Sequence, residues 1–174
     1  MTDEQGAVTR SEAVNGIVAE LLRLEESSRY SAQAQFAQAK IWRATNLWLG
    51  APAAVMAAIA GGTGLATAAG RMPVAILALV AAGLGAIMTT LNAARRAELA
   101  HTMANAYLAL ENDARIVRTI DAHQDSPQDL RGKLAEFSTR RTEINQAAEI
   151  PFRVAYWSAK RNIGSGATVF EVDK

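Results

Sequence analysis

A central stretch with almost no charge limits what this chain can fold into. Between Arg43 and Arg95, Arg71 is the single charged residue. Each uncharged run, 44–70 and 72–94, is longer than the roughly 20 residues that a helix needs to cross a hydrocarbon core about 30 Å thick. The sequence therefore predicts two membrane-spanning helices, near 47–67 and 73–93.

Turn-forming residues separate the two predicted spans. Gly61, Gly62, Gly64 and Gly70 weaken helix continuation, and Pro73 suits the first turn of a new helix. Arg71 falls on this turn. The spans are expected to form a hairpin.

Aromatic and basic residues stand at the outer ends of both spans. Tryptophan prefers the headgroup level of a membrane, and basic residues are enriched on the cytoplasmic side. The predicted interface anchors are Lys40, Trp42, Arg43, Trp48, Arg95 and Arg96. Both termini are therefore predicted to be cytoplasmic, with the protein crossing the membrane more than once.

Small residues recur at a four-residue step in both spans, which is typical of helices that associate closely in lipid. The predicted helix-packing positions are Gly50, Ala54, Ala58 and Gly62 in the first span, and Ala81, Gly85 and Ala93 in the second. Pro52 removes a backbone donor, so a kink is expected there.

A few polar residues interrupt the spans and are candidates for a pore lining or its inner mouth. They are Asn46, Thr89, Thr90 and Asn92. Hydrogen bonding between the two helices is the alternative interpretation. Because two helices cannot enclose water, a pore would require several copies, and a homo-oligomer in a lipid membrane is predicted.

The charged flanks carry apolar residues at helical spacing. Cytoplasmic helices are predicted at 11–46, 94–124 and 128–161, forming a bundle. Ser126 is a candidate cap for the last of them, and a bend is expected at Pro151. The fold class is all-α, with one domain over 11–162 and flexible ends at 1–10 and 163–174.

Enzymatic and cofactor chemistry finds little support in the sequence. The chain has no cysteine, and its 18 basic and 17 acidic side chains nearly cancel, which does not favour a nucleic-acid partner. Nucleotide-binding fingerprints and catalytic triads are also missing from the sequence. Glu98 and His101 share a helix face, but a di-iron site needs a second such pair. No catalytic residue, metal ligand or cofactor is predicted.

The order of elements resembles the SLATT domain family. The segments that carry the resemblance are EESSRYSAQAQFAQAKIWR, GAPAAVMAAIAG, ALVAAGLGAIMTTLNA and RRAELAHTMANAYLALENDAR. The residues that match the family pattern are Tyr30, Gly50, Ala51, Pro52, Arg96, Glu98, His101 and Tyr107. The family consists of bacterial two-span proteins of conflict systems, which are proposed to form pores in the cell's own membrane.

The resemblance implies a membrane effector in the inner membrane of a bacterium, activated by a partner protein or by a nucleotide signal. Two other interpretations stay open. One is a membrane-anchored scaffold or sensor that binds a partner through its cytoplasmic helices without conducting. The other is a soluble helical bundle that buries the apolar hairpin.

Overall fold

A computed structural model describes residues 2–63, 71–153, 155, 157 and 161 of the 174-residue chain. This part of the chain is helical apart from short turns and irregular segments, and it contains no strand. The prediction of an all-α protein is confirmed. The segment 64–70, which holds much of the predicted turn and the end of the first predicted span, lies outside the described residues, as does the tail 163–174.

The described ranges contain long helices in the order α1 (Thr2–Thr63), α2 (Arg71–Leu91), α3 (Ala93–Thr119) and α4 (Pro127–Ala147), with a 3₁₀-helix (Asp121–His123) before α4. Alanine, leucine and long straight-chain polar residues, which favour helix, are frequent in α1. The helix begins well before the predicted start at Ser11, and it continues through Pro52.

A single residue separates α2 from α3. Asn92 has a φ of 47°, in the left-handed region that asparagine tolerates better than most residues. Its N–H donates to the Met88 carbonyl at 3.0 Å, and the Arg96 N–H donates to the Asn92 carbonyl at 3.1 Å. The hydrogen-bonded ladder therefore passes through this residue although its backbone leaves the helical region.

Local chemistry sets both ends of α4. The Ser126 hydroxyl accepts a hydrogen bond from the Asp129 N–H at 3.2 Å, and Pro127, whose ring presets a helical φ, follows the cap. At the other end, Ala148 is extended with a ψ of 137°. Residues 148–152 are irregular, and Pro151 disfavours helix in the residue before it, so α4 ends earlier than the predicted helix 128–161.

The contacts divide the chain into two compact units. The flanking unit consists of Met1–Gln38 and Ala100–Lys174, and the central unit consists of Ala39–Leu99. The flanking unit has an apolar core whose buried residues come from three helices: Ile17, Leu21 and Leu24 from α1, Leu110, Ala114 and Val117 from α3, and Leu130 and Phe137 from α4. The periodic apolar positions of the sequence supply this core.

Two buried glutamines of α1 bind the backbone of the segment that follows α4. Gln35 Nε2 donates to the Glu149 carbonyl at 2.9 Å, and Gln38 Oε1 accepts from the Phe152 N–H at 3.2 Å. Both side chains are almost fully buried. Because the irregular segment lacks helical hydrogen bonds, these two contacts satisfy backbone groups that would otherwise need other partners.

Aromatic and small residues form the core of the central unit. Trp42 is buried with Ala93 and Ala97. The Arg96 guanidinium lies 5.2 Å from the centroid of the Trp42 ring, within the range of a cation–π interaction. The beginning of α3 is therefore held against α1 by both apolar and electrostatic contact.

Candidate functional site

The central unit leaves many large apolar side chains exposed. They include Leu47, Trp48, Val55, Ile76, Leu79, Val80 and Ile87. Of the most apolar stretch in Ser11–Gly62 only 6% is buried, and of that in Val74–His123 none is buried. The core helix of a soluble protein would be mostly buried. By length and composition, both helices could cross a membrane.

The predicted helix-packing residues fall into two groups. A Cβ atom added to Gly50 would lie 3.0 Å from Met88 Cε, so α1 and α2 approach closely there. Around Gly62 and Gly85 the same test finds no described atom within 4 Å. Of the alanines, Ala54 and Ala58 are exposed, Ala81 is half-buried and Ala93 is buried. Gly50 and Ala93 therefore serve contacts within one chain, whereas Ala54, Ala58 and Gly62 leave an exposed surface of small residues.

Among the described residues, the four predicted pore-lining residues are not joined to one another by hydrogen bonds. Thr89 Oγ1 donates to the Gly85 carbonyl and Thr90 Oγ1 donates to the Ala86 carbonyl, each at 2.9 Å. Both threonines are exposed. The half-buried Asn46 and the exposed Asn92 are the other two members of the predicted set.

The predicted membrane-interface residues also differ in exposure. Trp42 is buried beneath Arg96, whereas Trp48 is 78% exposed. Lys40, Arg43, Arg95 and Arg96 are all exposed. Trp48 and the basic residues are thus accessible at the surface of the described residues, and Trp42 serves the core of the central unit.

The residues that match the SLATT pattern have different surroundings. Tyr107 is buried, and its hydroxyl donates to Asn145 Oδ1 at 2.5 Å. The His101 ring meets Phe36 edge to face, with centroids 5.5 Å apart. The pattern residues that are exposed are Tyr30, Ala51, Pro52, Arg96 and Glu98, and Gly50 is half-buried.

The described part of the chain contains no cluster of potential metal ligands. No group of three or more histidine, aspartate or glutamate residues is close enough there to hold an ion. His101 instead lies beside Phe36, and its Nδ1 is 3.3 Å from Asn105 Nδ2. These contacts give the imidazole a structural role among neighbouring side chains.

The sequence interpretation missed several buried polar residues of α1. Glu25, Ser28, Gln35 and Gln38 are all buried. They continue the three-to-four-residue step that begins with Leu21 and Leu24, so the same periodicity could have identified them. Polar residues at core positions indicate hydrogen-bonding partners inside the protein.

Burial raises the pKa of the Tyr107 phenol above its ordinary value of 10.0, and the nearby charge of Arg141 partly offsets this. The pKa of Tyr107 is higher in the folded than in the unfolded protein. The contribution of the neutral phenol to the free energy of unfolding is therefore fully present below the unfolded pKa and is lost as pH rises through the folded pKa. Tyr107→Phe should remove this alkaline loss and, at neutral pH, lower the free energy of unfolding by about 1 kcal/mol through the lost hydrogen bond to Asn145. Unfolding at a series of alkaline pH values checks this.

Tyr30→Phe is the matched control for Tyr107→Phe, since Tyr30 is exposed. This variant should keep the alkaline loss of stability. Equal pH profiles for Tyr107→Phe and the wild type would contradict the assignment to Tyr107.

Comparison with known proteins gives no match for this chain among family models, curated proteins or solved structures.

Proposed function

We propose that this protein is an oligomeric membrane effector of the SLATT type, which forms a pore and thereby disrupts the cell's own membrane in a bacterial conflict system. The exposure of its apolar central helices carries the proposal. Burying a large apolar side chain is worth about 1.5–3 kcal/mol, so a surface with many of them is unfavourable in water. Lipid would supply the cover that the described residues do not give this surface.

A membrane hairpin accommodates the central unit. In the proposed arrangement α2 and the apolar end of α1 cross the bilayer, and the flanking unit lies on the cytoplasmic side with both termini. The basic residues Arg43, Arg95 and Arg96 support this orientation because they stand at the flanking-unit ends of the spans and are exposed.

Several copies are required for a pore, because the hairpin has two helices. The exposed small residues Ala54, Ala58 and Gly62 support assembly, since small side chains let helices of neighbouring copies approach closely in lipid. Among the described residues nothing lies within 4 Å of a Cβ atom placed at Gly62, which suits a contact with a second copy.

Leakage from liposomes tests the pore. The purified protein, reconstituted with a trapped dye, should release the dye once activated. Gly62→Leu should abolish leakage, because its side chain projects from the small-residue surface into the proposed contact between copies. Gly83→Leu is the matched control: Gly83 is exposed in α2, a Cβ atom there would meet nothing within 4 Å among the described residues, and the change brings the same gain in helix propensity without altering the small-residue surface of α1.

Equal leakage from the two glycine variants would contradict assembly through this surface. Liposomes that stay tight under every trigger, while the protein remains membrane-inserted, would favour the alternative of a non-conducting anchor with a partner-binding flanking unit.

A further inference from the structure

A cavity of about 340 Å³ lies in the flanking unit, where α1, α3 and the end of α4 meet the segment after α4. The described lining residues on which the argument depends are Tyr30, Ser31, Gln35, Tyr107, Ala148 and Glu149. This volume is at the lower end of the range, roughly 300–1,000 Å³, that is typical of small-molecule sites.

Gln35 provides the strongest indication of a ligand. Its side chain is 2% exposed, and Nε2 donates to the Glu149 carbonyl at 2.9 Å. Its Oε1 atom is buried and accepts no hydrogen bond from the described residues. A buried acceptor without a donor is unfavourable, so an N–H or O–H group is expected to meet it when the cavity is occupied.

Two hydroxyl groups add to the acceptors of this cavity. The Tyr107 hydroxyl gives its proton to Asn145, and the Ser31 hydroxyl donates to the Ser27 carbonyl at 2.9 Å. A hydroxyl that has donated its proton retains lone pairs that can accept. Hydrogen-bonding capacity at these positions therefore favours a ligand that donates.

Charge and shape narrow the class of ligand further. Among the described lining residues Glu149 is acidic and none is a lysine or an arginine, although the charge of Arg141 acts on Tyr107 from outside this lining. The lining itself therefore favours a cationic ligand over an anionic one. Tyr30 is partly exposed and offers an aromatic face, on which an apolar or cationic group can rest.

We infer that this cavity binds a small organic amine, whose N–H groups donate to Gln35 Oε1 and whose carbon skeleton rests on Tyr30. The inference goes beyond the proposed pore and does not depend on it, because binding is measured in detergent with no membrane to permeate. Failure of the amine to bind and failure of the liposomes to leak are therefore separate results.

Three compounds of similar shape test the chemistry of the ligand. Tyramine is a cation, ethylphenol is neutral and hydroxyphenylpropionate is an anion. In titration calorimetry of the detergent-solubilised full chain, tyramine should bind with a Kd of about 1 mM or tighter, and ethylphenol at least about tenfold more weakly. Binding of the anion as tight as that of tyramine overturns the inference. So does the lack of binding by tyramine, agmatine and spermidine, each at about 10 mM.

Filling the cavity tests its location. Ala148→Leu places a bulky side chain in the lining, removes no hydrogen bond, and should weaken tyramine binding by at least about tenfold. Ala147→Leu is the matched control, since Ala147 is exposed and is not among the described lining residues; it should leave the Kd unchanged. Unchanged binding by Ala148→Leu overturns the inference.

Gln35→Met provides a second variant in case Ala148→Leu does not fold, as judged by circular dichroism. It keeps the length of the side chain and removes both the Oε1 acceptor and the Nε2 donor to the Glu149 carbonyl, so tyramine binding should again weaken by at least about tenfold. Binding of wild-type strength by a folded Gln35→Met variant also overturns the inference.

Discussion

Replacing Glu25 by alanine is expected to lower the free energy of unfolding of the flanking unit by about 3 kcal/mol, because the change removes one partner of a buried ion pair. Glu25 Oε2 accepts a hydrogen bond from Arg118 Nε at 2.9 Å, and Glu25 Oε1 lies 3.7 Å from Arg29 Nη2. The Glu25 side chain is 7% exposed and that of Arg118 is 27% exposed. The partial exposure of Arg118 places the estimate at the lower end of the range for buried pairs.

In the Glu25→Ala variant, Arg29 should lose less electrostatic stabilisation than Arg118. Its Nε donates to Glu111 Oε1 at 2.7 Å, a contact that does not involve Glu25. Arg118→Ala combined with Glu25→Ala should therefore cost less than the sum of the single changes, because the two residues share one interaction.

Hydrogen exchange of the amide groups of Leu21 and Leu110 measures the free energy of unfolding of the flanking unit, since both residues belong to its core. Glu26→Ala is the matched control, because Glu26 adjoins Glu25 in sequence and is exposed. Its effect should stay within about 0.5 kcal/mol. Equal protection factors in the two variants would show that the buried ion pair does not stabilise the unit.

Placing arginine at Leu79 is expected to oppose membrane insertion by about 3 kcal/mol, the cost of moving a charged side chain to the centre of a membrane helix. Leu79 lies near the middle of α2 and is 74% exposed. In the proposed hairpin the side chain at position 79 faces lipid, where an arginine has neither water nor an acidic partner. Glycosylation mapping of the whole chain in microsomes measures the inserted fraction.

Leu108→Arg is the matched control for the insertion experiment. Leu108 is an exposed leucine of α3 in the flanking unit, which we propose to lie outside the bilayer. This variant should insert like the wild type. Recovery of the wild-type protein in the soluble fraction without detergent would instead overturn the membrane assignment.

The helices could be predicted because each has a characteristic composition or spacing along its own sequence. The uncharged runs on either side of Arg71 identify two apolar helices, and Ser126 with Pro127 identifies the start of α4. Apolar spacing in the flanks also identifies which residues are buried, such as Leu21 and Leu110. Each of these features depends on properties of a single helix, which sequence periodicity reports directly.

Pairwise contacts between distant residues could not be predicted in this way. Gln35 and Glu149 are 114 positions apart, and periodicity shows that Gln35 lies on a buried face without showing what lies opposite it. The left-handed backbone of Asn92 was also missed, because asparagine occurs in many conformations and its sequence neighbours favour helix. The cavity beside Gln35 depends on such contacts, so the sequence alone gave no sign of it.

In the proposed pore, the hydroxyl protons of Thr89 and Thr90 would influence which ions pass beside α2. Both protons are used within the helix, so the two oxygens turn only lone pairs outward. Rings of oxygen lone pairs stabilise positive ions and give no donor to a negative one. A channel wall built from these threonines would accordingly select for cations such as potassium and sodium over chloride.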